Sequence, residues 1–206
     1  MGNPWEEISL EDYENHMKLD TVRQLQGLNE LMKDQLGDYP ASRVMILGIA
    51  GGNGLEHIQT GRFEKIYGVD VNAAYLEAAA ARYPELNGVL ECLCIDLTEE
   101  PCRLPEADLV VANLLIEYIG YECFQKAIRH VRPEYVSCII QINKADSWVS
   151  GSPYLHVFDR LEQVHHDLDS EGLEKAMAAI GCQTVKRLEH GLPNGKKFLR
   201  IDFQRV

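Results

Sequence analysis

Apolar residues recur with a helical period near the start of the chain. Within residues 9–37 their spacing is close to 3.6 residues, with polar residues between them, which predicts an amphipathic helical segment. We expect a break near residues 18–20, and Gly37 and Pro40 mark the end of the segment. The apolar positions are Leu19, Val22, Leu25, Leu28, Leu31, Met32 and Leu36.

Beyond this segment, short apolar strands alternate with short helical patterns. Strands that alternate with helices indicate right-handed βαβ units and a parallel sheet covered on both faces. The last two strands are joined by a Pro-Asn-Gly turn and form an antiparallel hairpin. The predicted strands are 44–50, 65–71, 89–95, 107–115, 135–143, 183–189 and 196–204. The predicted helices are 55–60, 73–82 and 122–131, with one or two more within 158–180.

These elements predict an α/β fold with a doubly wound, seven-stranded sheet, an antiparallel C-terminal hairpin and an N-terminal helical cap. Residues 1–40 form the predicted helical cap, and residues 41–206 form one predicted domain. The chain shows no internal repeat and no low-complexity linker that would suggest a second domain.

Charge and composition narrow the possible partners. The 206 residues include 20 Lys and Arg against 32 Asp and Glu, a formal charge of −12, so a nucleic-acid partner is not expected. The first residues lack the apolar centre of a secretory signal, and no apolar run is long enough to span a membrane, so we expect a cytoplasmic protein. The six cysteines have no regular spacing, which favours free thiols.

The segment with the clearest chemistry is VMILGIAGGNG, residues 44–54, in which a buried strand runs into four glycines. Glycines allow a sharp turn and a close approach of the backbone to a ligand, although a turn without a ligand would use them equally well. Asp70 ends the second strand and Asp96 ends the third, at the same edge of the sheet. An acid at the position of Asp70 can accept hydrogen bonds from a ribose, and Asp96 can accept one from an adenine amine.

The spacing of the glycines argues against two common nucleotide sites. The G-x-G-x-x-G pattern of dinucleotide binding fails from Gly48, where Ala50 and Asn53 stand in the other places, and it fails from Gly52 as well. No Gly-Lys-Ser or Gly-Lys-Thr occurs, so a phosphate loop is absent. A NAD-dependent oxidoreductase is therefore a weaker alternative.

These segments together resemble the class I S-adenosylmethionine-dependent methyltransferases. VMILGIAGGNG is similar to their first motif, YGVDVN to the end of their second strand, CIDL to their adenine-contacting segment and ADLVVANLLIEYI to their fourth strand. The resemblance covers about residues 40–206 and implies a Rossmann-like fold that binds S-adenosyl-L-methionine and releases S-adenosyl-L-homocysteine. The cofactor-binding residues that it implies are Gly48, Ile49, Ala50, Gly52, Asp70, Val71, Asp96, Leu97 and Asn113.

The resemblance implies in-line transfer of a methyl group to a small molecule or a protein side chain. Ile46 stands where the family often has an acidic residue, and Ala50 replaces its second loop glycine. A non-catalytic scaffold that binds the donor therefore remains an alternative. The family's Asn-Pro-Pro-aromatic signature is also missing after Asn113, which argues against methylation of nucleic-acid bases.

Substrate-binding candidates come from three parts of the chain, and no residue is assigned a catalytic role. Glu117 and Tyr118 follow the fourth strand, where a carboxylate and a phenol could orient or deprotonate a substrate, although a solvated helix start would look the same. Tyr13 and His16 lie within residues 1–40, which the resemblance implies act as a lid over donor and substrate, and the alternative is that they only pack or face solvent. His165 could line the pocket, but the adjacent pair with His166 does not have the spacing of metal ligands on a helix.

Overall fold

The structure, a computed structural model, describes residues 2–59, 61–143 and 148–206. Seven strands form one sheet in the order β3-β2-β1-β4-β5-β7-β6. The first five strands are parallel, and β7 runs antiparallel between β5 and β6. The predicted fold class is therefore confirmed. The strands are β1 Arg43–Leu47, β2 Lys65–Asp70, β3 Leu90–Cys94, β4 Leu109–Asn113, β5 Tyr135–Ile142, β6 Cys182–Gly191 and β7 Lys197–Arg205.

Helices cover both faces of the sheet, and the predicted break near residues 18–20 separates the first two. The α-helices are α1 Leu10–Lys18, α2 Gln24–Gly37, α3 Ala73–Arg82, α4 Ile116–Val131 and α5 Ser170–Ala178. Short 3-10 helices are Pro4–Glu7, Leu55–His57, Pro84–Leu86, Pro101–Arg103 and Leu155–Gln163. None of the helices in the described residues is long and apolar enough to cross a membrane.

Three predicted elements differ in extent from those observed. The helix predicted at 55–60 is only a single 3-10 turn, which begins directly after Gly54 with its left-handed φ of 94°. Helix α4 begins six residues before the predicted position because one helical turn precedes a kink at Gly120. The first part of the segment 158–180 is a 3-10 helix, and only its second part is α-helical.

The core lies on the two faces of the central strands. Val110 and Ala112 of β4 pack in one apolar cluster with side chains of α4 and α5, while Val111 packs in the other with Met32 and Leu36 of α2. Successive residues of a strand point to opposite faces, so both faces must be apolar and covered. Helix α2 thus packs on the sheet. The division into a cap of residues 1–40 and a domain of residues 41–206 stays a prediction.

Candidate functional site

The glycine segment forms a tight loop at the carboxyl end of β1. The N–H groups of Gly48 and Ile49 donate to the carbonyl of Val69, at 2.8 and 3.1 Å, which ties the loop to the end of β2. Gly48 has a φ of 71°, and a side chain there would lie 3.3 Å from Leu115. Ala50 also has a positive φ, 47°, so it adopts the left-handed backbone that glycine favours.

Asp70 lies at the end of β2, directly beside this loop. Its carboxylate accepts hydrogen bonds from the backbone N–H groups of Ala50, at 2.9 Å, and Asn72, at 3.0 Å. Burial raises the pKa of Asp70, and these backbone hydrogen bonds act in the opposite direction. The carboxylate therefore shapes the loop while keeping lone pairs for a ligand.

A cavity of about 340 Å³, here called the loop cavity, opens along this edge of the sheet. Ile49 and Gly52 are the two predicted cofactor residues that do not line it. Ile49 is buried against Gly68 of β2, and Gly52 lies against Leu55 and Tyr83, so both shape the loop from behind. The predicted residues that line the loop cavity are Gly48, Ala50, Asp70, Val71, Asp96, Leu97 and Asn113.

The loop cavity also contains residues that the sequence analysis missed. The side-chain amide of Asn3 donates to Asp96 at 3.0 Å, which brings the N-terminal segment over the cavity. Burial acts to raise the pKa of Asp96, but hydrogen bonds from Asn3 and Thr98 outweigh it and lower that pKa. Tyr75 of α3 lines the cavity with a buried hydroxyl that has no partner among the described residues.

These groups suit an adenosine that carries an amino-acid arm. Two carboxylates at the ends of neighbouring strands can accept from hydroxyl and amine groups, and the unpartnered phenol of Tyr75 can donate to a ligand. A buried polar group without a partner is costly unless something binds to it. The residues present therefore fit S-adenosylmethionine.

A second cavity of about 370 Å³, here called the aromatic cavity, adjoins the first. The residues that line both cavities are Trp5, Tyr13, Leu114 and Tyr118. Leu114 has a φ of 53°, a strained conformation at the end of β4 that costs roughly 1–2 kcal/mol. The predicted substrate residues that line this cavity are Tyr13, His16, Glu117, Tyr118 and His165, which is all five.

Glu117 lies in the first turn of α4 with its side chain buried. Its Oε1 accepts from the backbone N–H of Gln141 at 2.9 Å, while its Oε2 is buried and has no partner among the described residues. Burial raises the pKa of Glu117 to about 7, because desolvation disfavours the charged form. A carboxyl group with this pKa can take up and release a proton near neutral pH.

The two predicted histidines are held in different ways. His16 is buried, its Nδ1 lies 2.7 Å from the hydroxyl of Ser152, and burial together with the charge of Lys196 lowers its pKa to about 4. His16 is therefore neutral at pH 7. The ring of His165 stacks on Trp148 with 4.2 Å between centroids, and burial lowers its pKa as well.

The residues that sequence reasoning missed in the aromatic cavity include Gln24, Gln141 and Trp148. Gln141 interrupts an apolar strand near its carboxyl end, and this is the one sequence feature that could have pointed to it. The other two come from distant elements that only the fold brings together. In the described part of the chain, no three His, Cys, Asp or Glu residues are grouped so that they could hold a metal ion.

Comparisons with known proteins agree with this geometry. The family model described as "Methyltransferase domain" matches residues 46–136, which includes the glycine loop, Asp70 and Asp96. No curated protein sequence matches the chain.

Solved structures with the same fold include several methyltransferases. The methyltransferase domain of bacterial CtHen1-C is 20% identical, with a TM-score of 0.66 over 88% of this chain and 98% of that chain. Magnesium protoporphyrin IX methyltransferase (ChlM) from Synechocystis PCC 6803, with bound SAH, is 12% identical, with a TM-score of 0.69 over 95% and 94%.

A third similar structure is the N-methyltransferase NodS from Bradyrhizobium japonicum WM9, solved with S-adenosyl-L-homocysteine. It is 13% identical, with a TM-score of 0.65 over 95% of this chain and 97% of that chain. At these identities the likeness shows the fold, and the family match lies on the segment that builds the loop cavity. The chain therefore has the fold of these methyltransferases, and its residues 46–136 match the model of a methyltransferase domain.

Proposed function

We propose that the loop cavity holds the methyl donor and that the aromatic cavity holds a small-molecule methyl acceptor. The observation that carries this proposal is that Trp5, Tyr13, Leu114 and Tyr118 line both cavities, so that the two cavities adjoin at these side chains. S-adenosylmethionine, when bound, supplies a methyl group made electrophilic by its sulfonium.

The chain's own residues fix the donor in this proposal. Asp70 accepts from the ribose hydroxyls, Asp96 accepts from the adenine amine, and the loop from Gly48 to Gly52 lies along the methionine arm. The hydroxyl of Tyr75 donates to a polar group of the bound molecule, because it otherwise remains buried without a partner.

The N-terminal segment acts as a lid in this proposal. The side-chain amide of Asn72 donates to the backbone carbonyls of Trp5, at 3.0 Å, and Ile8, at 3.4 Å, and so holds the segment against α3. Trp5 packs edge-on against Tyr118, with 4.8 Å between ring centroids. A closed lid excludes water and holds the reactants in line, which can contribute about 7–11 kcal/mol to lowering a barrier.

A small molecule fits the aromatic cavity better than a protein side chain does. Its volume of about 370 Å³ lies in the range typical of small-molecule sites, and rings from Trp5, Tyr13, Trp148 and Phe158 line it from different sides. A side chain of a folded protein would have to reach past the lid, which the hydrogen bond from Asn3 to Asp96 holds down.

Two experiments test this proposal. Calorimetric titration with S-adenosylmethionine and S-adenosylhomocysteine should give micromolar binding, and NADH as a control should not bind. Incubation of a cell extract with the protein and methyl-labelled donor should place the label in the fraction that passes a small-pore filter. Binding of NADH alone would contradict the donor site, and label confined to protein would contradict the small-molecule acceptor.

A further inference from the structure

Glu117 lines the aromatic cavity and carries a buried carboxyl oxygen that nothing in the described part of the chain satisfies. Glu117 is 7% exposed, and its Oε1 accepts from the N–H of Gln141. Its Oε2 is fully buried and has no partner among the residues that the structure describes. An unsatisfied buried carboxylate is strongly unfavourable, so a bound group that donates to Oε2 or carries a positive charge would gain affinity.

Aromatic side chains line the same cavity as Glu117 and pack against one another. The neighbouring Tyr118 lies edge-on to Trp5, at 4.8 Å between centroids, and to Trp148, at 6.2 Å. Tyr13 lies edge-on to the same Trp5, at 5.9 Å. Faces of Trp and Tyr rings attract cations, and the attraction is stronger where water is excluded.

The charges around the cavity oppose an anionic ligand. The described lining residues include no Lys or Arg, while Asp167 and Asp169 lie at the rim. His16 is neutral at pH 7 because its pKa is lowered to about 4. The ammonium of Lys196 lies nearby but donates to the backbone carbonyl of Trp148 at 2.6 Å and does not line the cavity.

We propose that the methyl acceptor is an amine, which binds as an ammonium between the carboxylate of Glu117 and the aromatic rings and is methylated on nitrogen. This inference rests on the proposed function, because it assigns the acceptor class for the same cavity. A carboxylate acceptor would face Glu117 with no Lys or Arg among the described lining residues to neutralise it. An alcohol carries no positive charge for the ring faces to attract.

Glu117 also has a role in the chemical step. An ammonium has no lone pair, so it first transfers one proton to Oε2 of Glu117. The nitrogen lone pair then forms the new bond to the methyl carbon, and the carbon–sulfur bond breaks with its electron pair remaining on sulfur. The products are an N-methylated ammonium, S-adenosylhomocysteine and protonated Glu117, which returns its proton to water when the product leaves.

The test compares probes that have the same aromatic ring and two-carbon chain and differ in the charge of the terminal group. Phenethylamine, 2-phenylethanol and phenylacetate form one set, and tryptamine, indole-3-ethanol and indole-3-acetate form another. Each is titrated by calorimetry into the protein saturated with S-adenosylhomocysteine. We expect the amines to bind at least about tenfold more tightly than the matched alcohols and carboxylates, a difference of about 1.4 kcal/mol. Mass spectrometry after incubation with S-adenosylmethionine should show N-methylated amine.

Two variants separate the role of Glu117 from a general effect of charge. Glu117→Gln keeps an oxygen for the N–H of Gln141 but cannot be ionised, and it should lower amine affinity at least about tenfold while alcohol affinity stays unchanged. Glu122→Gln makes the same charge change on the same helix at an exposed side chain, and it should change amine affinity less than twofold.

The outcomes distinguish this inference from the proposed function. If S-adenosylhomocysteine binds but the amines in both sets bind no better than the alcohols and carboxylates, the amine inference is overturned and the donor site stands. Equal amine affinity in Glu117→Gln and the wild type would overturn it as well. If S-adenosylhomocysteine does not bind, the proposed donor site fails first.

Discussion

The carboxylate of Asp70 accepts a hydrogen bond from the glycine loop, and Asp70 also lines the loop cavity. We expect Asp70→Ala to weaken binding of S-adenosylhomocysteine by about 1.5–3 kcal/mol, which is roughly 10- to 150-fold, since it removes a charge-assisted hydrogen bond. Calorimetry measures this change. Glu91→Ala, on the neighbouring strand β3 and partly exposed, is the control that should bind like the wild type. Unchanged affinity in Asp70→Ala would refute the ribose contact.

Glu117 makes stability depend on pH in a direction set by its burial. Its pKa is about 7 in the folded protein against an ordinary value of 4.5, so between these values the folded state binds more protons than the unfolded chain does. The stability that Glu117 contributes is complete below about pH 4.5 and is lost as the pH rises through 7. Glu117→Gln cannot be ionised and avoids this loss.

We therefore expect Glu117→Gln to gain stability relative to the wild type as the pH rises from 4 to 8, by up to about 3 kcal/mol. Denaturant titrations of both proteins at several pH values measure the difference. Because His16 titrates identically in both proteins, the comparison isolates Glu117. A difference that is constant with pH, or that shrinks as the pH rises, would contradict the buried state of this carboxyl.

Asn72 connects helix α3 to the N-terminal segment. It is the N-cap residue of α3, and its side chain also holds that segment. Its side-chain oxygen accepts from the N–H groups of Ala74 and Tyr75, and its amide donates to the carbonyls of Trp5 and Ile8. The first pair of bonds caps the helix, and the second pair holds the N-terminal segment that we propose as a lid. One side chain therefore connects the start of α3 to that segment.

Asn72→Ser separates these two roles, because serine caps a helix about as well as asparagine but has no amide to reach the lid. We expect S-adenosylhomocysteine to dissociate several-fold faster, with the free energy of unfolding changed by less than about 1 kcal/mol. Stopped-flow fluorescence can follow the release, since Trp5 and Trp148 line the cavities. An unchanged dissociation rate would show that these hydrogen bonds do not hold the lid.

In the whole molecule, a buried ionic network joins the N-terminal helix layer to the C-terminal hairpin. Arg200 of β7 is fully buried and donates to Asp202, at 2.9 and 2.6 Å, and to Asp38 after α2, at 2.7 Å. The hydroxyls of Tyr39 and Ser137 donate to the same Asp202 carboxylate. The segment after α2 is thereby connected to strand β7 of the C-terminal hairpin.

Loss of one partner in this network should be severe. Asp202→Ala leaves the guanidinium of Arg200 with Asp38 alone, and we expect it to lower the free energy of unfolding by about 3–5 kcal/mol. Glu189→Ala removes the exposed partner of Lys197 in the same hairpin and should cost no more than about 1 kcal/mol. Urea denaturation compares the two variants. Equal losses of unfolding free energy in the two variants would show that the buried Arg200–Asp202 pair contributes no more to stability than the exposed pair.

The sequence predicted those parts of the site that lie next to one another at strand ends. Asp70, Asp96 and Asn113 each end or follow a strand, and parallel strands bring their carboxyl ends to one edge, so topology alone places these residues together. The glycine loop is similarly local, since its backbone angles depend on neighbouring residues. These positions could therefore be predicted without the tertiary structure.

What the sequence determined by itself is the order of the elements, the fold class and the edge of the sheet where the donor site lies, because hydrophobic period and chain connectivity are local properties. The tertiary structure decided the rest. Only packing brings Trp5, Trp148 and Gln24 around Glu117, and only burial raises the pKa of that carboxyl. Desolvation depends on every neighbour in space, and those neighbours come from segments more than a hundred residues apart in the chain.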